Sequence, residues 1–184
     1  MKVGVIVGSL RADSINRRLS RALTRLAPAD WSFEQIEIRD LPLYNQDNDD
    51  APPAEAVRLK QRIEAVDALM FVTPEYNRSI PGVLKNALDT ASRPYGKNSF
   101  AGKPAGVIGA SVGSIGTAVA QQHLRNVLAY LDVPTLGQPE AFIHLTEGKI
   151  DAAGEVSDDK LRSVLQRWMD AYQRFVEVHL GAEG

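Results

Sequence analysis

Residues 2–26 have the sequence KVGVIVGSLRADSINRRLSRALTRL, and their pattern indicates the fold class of the whole chain. Its first part, residues 3–7, is short, rich in β-branched side chains and uncharged, which is typical of a parallel strand buried on both faces. A small polar loop follows at residues 8–14. Apolar residues then recur at helical spacing, at Ile15, Leu19, Ala22, Leu23 and Leu26. A strand, a polar loop and a helix in this order begin a βαβ unit.

The polar loop has the composition of an anion-binding loop. N–H groups at a helix start lack intrahelical partners and carry the positive end of the macrodipole, so they favour a phosphate. Ser9 and Ser14 add hydroxyl donors, and Asn16 adds an amide. Arg11 adds a guanidinium that can bond two phosphate oxygens. The loop is neither a Walker loop nor a Gly-x-Gly-x-x-Gly turn, and a plainer alternative is that Ser14 only caps the helix while Arg11 is solvated.

Length and composition indicate one ordinary globular domain that spans residues 1–184. The chain has 184 residues, of which 44% are hydrophobic and 24% charged, enough for one well-buried domain and few for two. The formal net charge of −2 gives no reason to expect a nucleic acid or an anionic membrane as a partner. Four arginines cluster on the first helix: Arg17, Arg18, Arg21 and Arg25. The last three share a face opposite the leucines, which fits a solvated face better than a binding patch.

Cysteine and histidine usage, together with hydropathy, bear on location and metals. The chain has no cysteine, so disulfides and thiol chemistry are excluded. The N-terminus leads directly into a strand without a signal peptide, and no apolar run approaches ~18 residues. We therefore expect a cytoplasmic protein without a membrane partner. Three scattered histidines without cysteine argue against a metal site.

The remainder of the chain continues to alternate strands and helices. Further strands are predicted at residues 32–39, 68–72, 105–110 and, more weakly, 133–136 with an extension towards residue 143. Further helices are predicted at residues 54–65, 80–91, 117–131 and 161–176. In the first of these, Val57 and Ile63 are expected to face inward, and Ser79 is expected to be the N-cap of the second. A proline-rich acidic loop at residues 40–53 is either an ordered excursion or a partner contact.

This alternation predicts an α/β fold with a five-stranded parallel sheet and helices on both faces. The second strand alternates Ile36 and Ile38 with polar residues, as an edge strand does, which agrees with the order 2-1-3-4-5. In that order the ligand crevice lies outside the carboxyl ends of strands 1 and 3. Loops at residues 9–16, 74–79 and 111–116 all open on this edge, so we expect a ligand with an anionic group and a flat ring.

Two motifs dominate these loops: GSLRADSINR at residues 8–17 and TPEYNRSIPG at residues 73–82. LKNALD at residues 84–89 and SRP at residues 92–94 extend the second motif. With these motifs the chain resembles the NADPH-dependent FMN reductase family of flavodoxin-like proteins, which includes quinone, chromate and azo-dye reductases. The resemblance covers nearly the whole chain and implies a single flavodoxin-like, FMN-binding domain.

The resemblance also implies the residues that would bind FMN. The first motif would hold the phosphate through Ser9, Arg11, Ser14, the backbone of Ile15, and Asn16. The second would line the isoalloxazine with Pro74, Glu75, Tyr76, Asn77 and Arg78. The third loop would lie near the other side of the ring with Ser111, Gly113 and Ser114.

Three points at these positions stay open. Tyr76 packs either on the ring or simply on the protein, and Glu75 is either a flavin neighbour or an ion-pair partner at an interface. The family often has a glycine pair where this chain has Ile115-Gly116-Thr117, and this departure makes the third loop the weakest part of the assignment.

The implied activity is hydride transfer from NADPH or NADH to FMN, followed by reduction of a quinone, a similar small acceptor or FMN itself. The flavin carries this chemistry, so no catalytic side chain is required, and His123, His144 and His179 are interpreted as structural. The family implies a homodimer or homotetramer with contacts at residues 40–53 and 89–95. The alternatives are an electron-carrier flavodoxin, disfavoured by the near-neutral charge, and a flavin-binding regulatory protein without NAD(P)H turnover.

Overall fold

The computed structural model describes residues 1–181, which form a single α/β domain around a five-stranded parallel sheet. The strands are β1 (Lys2–Val7), β2 (Ser32–Gln35), β3 (Ala68–Val72), β4 (Ala105–Ser111) and β5 (Phe142–His144). The helices are α1 (Ile15–Leu26), α2 (Ala54–Glu64), α3 (Gly82–Ala91), α4 (Ala118–Tyr130) and α5 (Asp159–Gly181), with a 3-10 turn at Gln46–Asn48. The spatial order β2-β1-β3-β4-β5 confirms the predicted order. Residues 182–184, the end of the predicted domain, lie outside the described residues.

The sheet separates two apolar layers because successive side chains of a strand point to opposite faces. Val5 and Met70 pack with α1 and α5 on one face, whereas Ile6 and Phe71 pack with α2, α3 and α4 on the other. The apolar and aromatic stripe of α5 is core, as predicted, and its Trp168 and Tyr172 rings stack with centroids 5.3 Å apart. Among residues 1–181, no helix combines the length and the apolar character needed to span a membrane.

The edge strand β2 is shorter than the predicted strand at residues 32–39. It ends at Gln35, although the Ile36 N–H still donates to the carbonyl of Val5 at 2.9 Å. Ile36 and Ile38 are buried as the alternation predicted, but they pack in the layer of α2 and α3 beyond the end of the ladder. The pattern therefore located buried side chains correctly and overestimated the length of the strand.

The predicted last strand at residues 133–136 is wrong, because β5 lies at Phe142–His144. Residues 133–136 form only an isolated bridge to the start of β4, where the Leu136 N–H donates to the Ala105 carbonyl at 2.9 Å. They also bond α4, through the Val133 N–H to Leu128 and the Leu136 carbonyl to Arg125. Pro134 has no N–H to donate and interrupts any ladder there. The extension towards residue 143 was the correct part of this prediction.

Two details of the predicted helices are also corrected. Helix α3 begins at Gly82 after Pro81, so Ser79 is not its N-cap. In α2 the buried residues are Ala56, Leu59 and Ile63, whereas Val57 is 37% exposed. Val57 lies off the stripe that the spacing of Ala56, Leu59 and Ile63 defines.

The arginines of α1 form a paired, solvated face as expected. Arg17 makes two hydrogen bonds with the Glu37 carboxylate at 3.2 and 3.3 Å. Arg18 pairs with Asp13, Arg25 pairs with Glu155, and Arg21 donates to the carbonyl of Ala152. These contacts use the guanidinium groups within the domain, which fits a solvated face better than a binding patch.

Candidate functional site

The first loop leaves β1 and packs directly against the loop that follows β3. The Gly8 N–H donates to the Val72 carbonyl at 2.9 Å. A Cβ at Gly8 would lie 3.1 Å from the Thr73 hydroxyl oxygen and 3.3 Å from Cδ of Pro74. Because glycine has no side chain, these two loops approach each other closely at the carboxyl ends of β1 and β3, where the ligand crevice was predicted.

The start of α1 offers a set of donors that have no partner within the described part of the chain, residues 1–181. Ser14 is the N-cap, and its hydroxyl oxygen accepts from the Arg17 N–H at 3.3 Å. The N–H groups of Ile15 and Asn16 precede the first intrahelical donor and have no partner within the helix. Arg11 is exposed, and its guanidinium makes no hydrogen bond or ion pair with any of residues 1–181. This arrangement fits a phosphate dianion.

The Asn16 side chain, which was predicted to contact a phosphate, bonds the end of β4 in the structure. Asn16 is buried, its Nδ2 donates to the carbonyl of Ala110 at 3.0 Å, and its Oδ1 accepts from the N–H of Ala110 at 2.9 Å. Both polar atoms of the side chain therefore join α1 to β4. The second N–H of Nδ2 and the backbone N–H of Asn16 have no partner among residues 1–181.

The second loop forms a tight hairpin between Tyr76 and Ser79. The N–H of each residue donates to the carbonyl of the other, at 2.9 and 3.0 Å. Asn77 and Arg78 between them both have positive φ, 51° and 63°, as in a type I′ turn. The turn exposes Asn77, Arg78 and half of Tyr76 at the rim. The Tyr76 N–H is used inside the hairpin, whereas those of Glu75 and Asn77 have no partner among residues 1–181.

Glu75 connects this hairpin to α4. One oxygen of its carboxylate accepts from the N–H groups of Val119 and Ala120, both at 3.1 Å, and the other accepts from Arg78 at 3.1 Å. A carboxylate at this position satisfies two orphan donors and the positive end of the α4 dipole. The structure thus gives Glu75 a role that neither sequence interpretation included, which is to cap a helix distant in sequence.

In the third loop, Thr117 occupies a backbone conformation that favours glycine, at the place where the family often has a glycine pair. Gly116 and Thr117 both have positive φ, 58° and 73°, and a Cβ at Gly116 would overlap the Phe142 backbone. A β-branched residue rarely adopts such a φ. The Thr117 hydroxyl accepts from Gln121 at 3.0 Å, which holds the side chain inside the protein. Thr117 itself makes no side-chain cap for α4, and Glu75 takes that role.

The remaining predicted residues of the third loop lie at the same rim. The Ser111 hydroxyl accepts from the Gly113 N–H at 3.0 Å, and the Ser111 carbonyl accepts from Leu145 at 2.9 Å. Gly113 and Ser114 are exposed. The loops after β3 and β4 lie against each other at Gly109. A Cβ at this position would overlap both the Thr73 carbonyl and the Thr117 hydroxyl, so the close approach requires glycine.

The structure also brings two histidines to this rim, which the sequence analysis did not anticipate. The Nδ1 atom of His123 in α4 lies 3.0 Å from the Ser79 hydroxyl oxygen, and Nε2 of His144 in β5 lies 3.1 Å from the Val112 carbonyl oxygen. His179 instead bonds the carbonyl of Phe175 within α5. No local motif marks the two rim histidines, because only the tertiary fold places their helix and strand beside the loops.

A separate cavity of about 360 Å³ lies between the loop at residues 42–53, α2 and the end of α3. Tyr44, Val57, Thr90 and Arg93 are among the residues that line it. Within residues 1–181, no residue of the three rim loops lines this cavity. This cavity is therefore distinct from the predicted crevice and belongs to the surface that was expected to contact another subunit.

Comparison with known proteins agrees with this geometry. A family model described as NADPH-dependent FMN reductase matches residues 1–148. A 2-hydroxy-1,4-benzoquinone reductase from Burkholderia sp is 53% identical over 176 residues, which cover 96% of each chain. A quinone reductase from Pseudomonas putida is 44% identical over 178 residues, covering 96% of this chain and 95% of that protein.

A solved structure extends the agreement to three dimensions. FerB, a flavoenzyme NAD(P)H:(acceptor) oxidoreductase from Paracoccus denitrificans, superimposes with a TM-score of 0.93 at 47% identity. The match covers 97% of this chain and 98% of that chain. The fold, the three loops and these matches lead to one conclusion: the chain belongs to the NADPH-dependent FMN reductase family.

Proposed function

We propose that this chain is an FMN-dependent NAD(P)H oxidoreductase that passes electrons from NADPH or NADH to a quinone or similar small acceptor. The observation that carries the proposal is the set of unused donors at the start of α1, immediately beside the exposed hairpin after β3. Family membership supports FMN as the cofactor. The names of the similar proteins, quinone reductase and 2-hydroxy-1,4-benzoquinone reductase, support a quinone as the acceptor.

The residues around α1 fit the phosphate of FMN. We assign the phosphate to the hydroxyls of Ser9 and Ser14, the guanidinium of Arg11 and the backbone N–H groups of Ile15 and Asn16. Both serine residues are only 3% exposed, so their hydroxyls lie in a sheltered part of the loop. Charge-assisted bonds from Arg11 and the helix dipole would together compensate the two negative charges of the phosphate.

The hairpin residues fit the ring system. We assign the free N–H groups of Glu75 and Asn77 to the pyrimidine end of the isoalloxazine, where such donors would stabilise negative charge on the reduced ring. Pro74, Tyr76 and Arg78 would border the ring on this side. Ser111, Gly113 and Ser114 of the third loop would border it on the other side.

In this assignment the cofactor and the protein have different roles. Bound FMN supplies the capacity to accept a hydride and to pass electrons on. The chain binds and orients the cofactor and leaves the rim open to small molecules, and we assign no side chain to a catalytic role. The expected acceptors include free FMN as well as quinones.

We also propose that the protein is a homodimer or homotetramer that works in the cytoplasm, where reduced nicotinamides are supplied. The loop at residues 40–53 is an ordered excursion, because Asn86 accepts from the Tyr44 N–H at 2.8 Å and donates to the Pro42 carbonyl at 2.9 Å. Leu43 and Tyr95, 82% and 86% exposed, lie in the two segments expected at a subunit contact. Sedimentation of the purified protein and fractionation of cells test these two statements.

The experiment that tests the activity is steady-state oxidation of NADPH and NADH by the FMN-loaded protein with 1,4-benzoquinone. Quinone-dependent oxidation supports the reductase. Bound FMN without NAD(P)H oxidation contradicts it and favours an electron carrier or a flavin-binding regulator. Replacing the quinone with excess free FMN tests flavin reduction by the same site.

A further inference from the structure

The hairpin that we assign to the flavin ring depends on α4 for its position. Within the hairpin, Tyr76 and Ser79 exchange two backbone hydrogen bonds. Two further connections, both through side chains, join the hairpin to this helix. Glu75 precedes the turn and caps Val119 and Ala120, and Ser79 closes the turn and bonds Nδ1 of His123 at 3.0 Å. The connections therefore lie on either side of the turn.

The α4 positions involved share one face of the helix. Residues three and four apart in a helix are neighbours on its surface, which places Val119, Ala120 and His123 in one row. The hairpin consequently lies along the first two turns of α4. Its two central residues have positive φ without being glycine, a conformation that persists only where the surroundings hold it.

We propose that His123 is a positioning residue for the flavin, acting through Ser79. This inference rests on the proposed function, because the Asn77 N–H that we assign to the ring lies between the two connections. With the bond to Ser79 present, the hairpin keeps the N–H groups directed at the rim. With the bond lost, the strained turn relaxes on the Ser79 side, and the donors bond the flavin less well.

Four variants of the FMN-loaded protein test this role: His123→Ala, Ser79→Ala, the double variant and His123→Asn. Each single alanine substitution removes the same hydrogen bond, and we expect FMN to bind about threefold to tenfold more weakly. The double variant should be no weaker than the singles, because one shared contact is lost only once. Asparagine places an amide close to the position of Nδ1, so His123→Asn should bind FMN nearly as the unaltered protein does.

A second readout separates positioning from a purely structural role. The flavin midpoint potential should become more negative in His123→Ala and Ser79→Ala, because fewer donors stabilise the reduced ring. His179→Ala serves as the matched control, since the hydrogen bond of His179 within residues 1–181 goes to Phe175 of the same helix, and it should change neither affinity nor potential.

The contrary results are equally specific. Unchanged FMN affinity and potential in His123→Ala, with only the melting temperature lowered, would make the bond structural and overturn the inference. Additive losses in the double variant would show that the two residues act separately and would overturn it as well. An unaltered protein that fails to bind FMN would instead remove the proposed function, and with it the basis of this inference.

Discussion

Asn16 at the start of α1 and Ala110 near the end of β4 exchange two hydrogen bonds, at 2.9 and 3.0 Å, across 94 residues of sequence. β3 ends at Val72, which pairs with Ile108, so Ala110 lies beyond the reach of that strand. The amide of Asn16 takes the place of the missing strand neighbour. The helix that presents the phosphate donors is thereby fixed to the carboxyl end of β4.

We predict that Asn16→Ala destabilises the protein. The substitution leaves a buried N–H and a buried carbonyl of Ala110 without partners, which should cost about 2–4 kcal/mol. Chemical unfolding measures this loss, with Gln173→Ala as a surface control. Asn16→Asp should also be destabilised, because a carboxylate cannot donate to the Ala110 carbonyl. A wild-type unfolding midpoint in both variants would contradict the structural role of this pair.

Arg11→Ala should weaken FMN binding without affecting the fold. Its guanidinium has no partner among residues 1–181, and its loss removes a charge-assisted phosphate contact of about 1.5–3 kcal/mol. Titration of FMN fluorescence gives the affinity, and Arg11→Lys should be intermediate because it keeps the charge but not the two-pronged geometry. Arg167→Ala, at an exposed position of α5, is the matched control. Equal FMN affinity in Arg11→Ala and the control would remove Arg11 from the phosphate site.

Glu75→Ala should loosen the start of α4. Losing a charged cap that two backbone N–H groups share should reduce the free energy of unfolding by about 1–2 kcal/mol. The backbone amides of Val119 and Ala120 donate hydrogen bonds to Glu75, so their rates of hydrogen exchange should increase. Glu147→Ala, at an exposed turn, should leave exchange unchanged. Protection of Val119 and Ala120 that survives Glu75→Ala would contradict the capping assignment.

Stability should fall in alkaline solution through Tyr172. Complete burial raises the pKa of its phenol, which donates to the Leu69 carbonyl at 2.8 Å. Above pH ~10 the unfolded chain releases this proton while the folded protein retains it, so stability is lost as pH rises, by up to about 1.4 kcal/mol per pH unit.

Unfolding of Tyr172→Phe between pH 9 and 11 measures this contribution. The variant lacks the titrating phenol and should show a shallower loss than the unaltered protein, after a constant cost for the missing hydrogen bond. Tyr130→Phe, at a side chain that is 76% exposed, should keep the original slope. Identical slopes in all three proteins would show that Tyr172 does not titrate differently on folding.

Sequence patterns predicted the parts of this protein that depend on local periodicity. The continuous apolar runs predicted β1, β3 and β4, and the alternation around Ile36 placed the second strand at an edge. Among doubly wound strand orders, 2-1-3-4-5 agrees with that placement. The three loops could then be placed at one edge. The weak strand β5 was misplaced because only three residues form it, and Pro134 interrupts the more strand-like segment.

Contacts between distant side chains and backbone were beyond such patterns. Glu75 and His123 make their decisive bonds 44 or 45 residues away, and nothing in the local sequence of either marks its partner. Asn16 was assigned to a phosphate because its position at a helix start suited that role equally well. Only the assembled fold shows that its amide is needed by Ala110.

The proposed activity requires that the chain binds FMN and that NADPH reduces the bound flavin. The most direct measurement is an absorbance spectrum of the FMN-loaded protein, recorded anaerobically before and after addition of NADPH. We expect flavin bands that bleach with NADPH and return when a quinone is added. Bound flavin that stays oxidised, or flavin that is lost on gel filtration and is not reduced by NADPH, would show that the chain is not an FMN-dependent reductase.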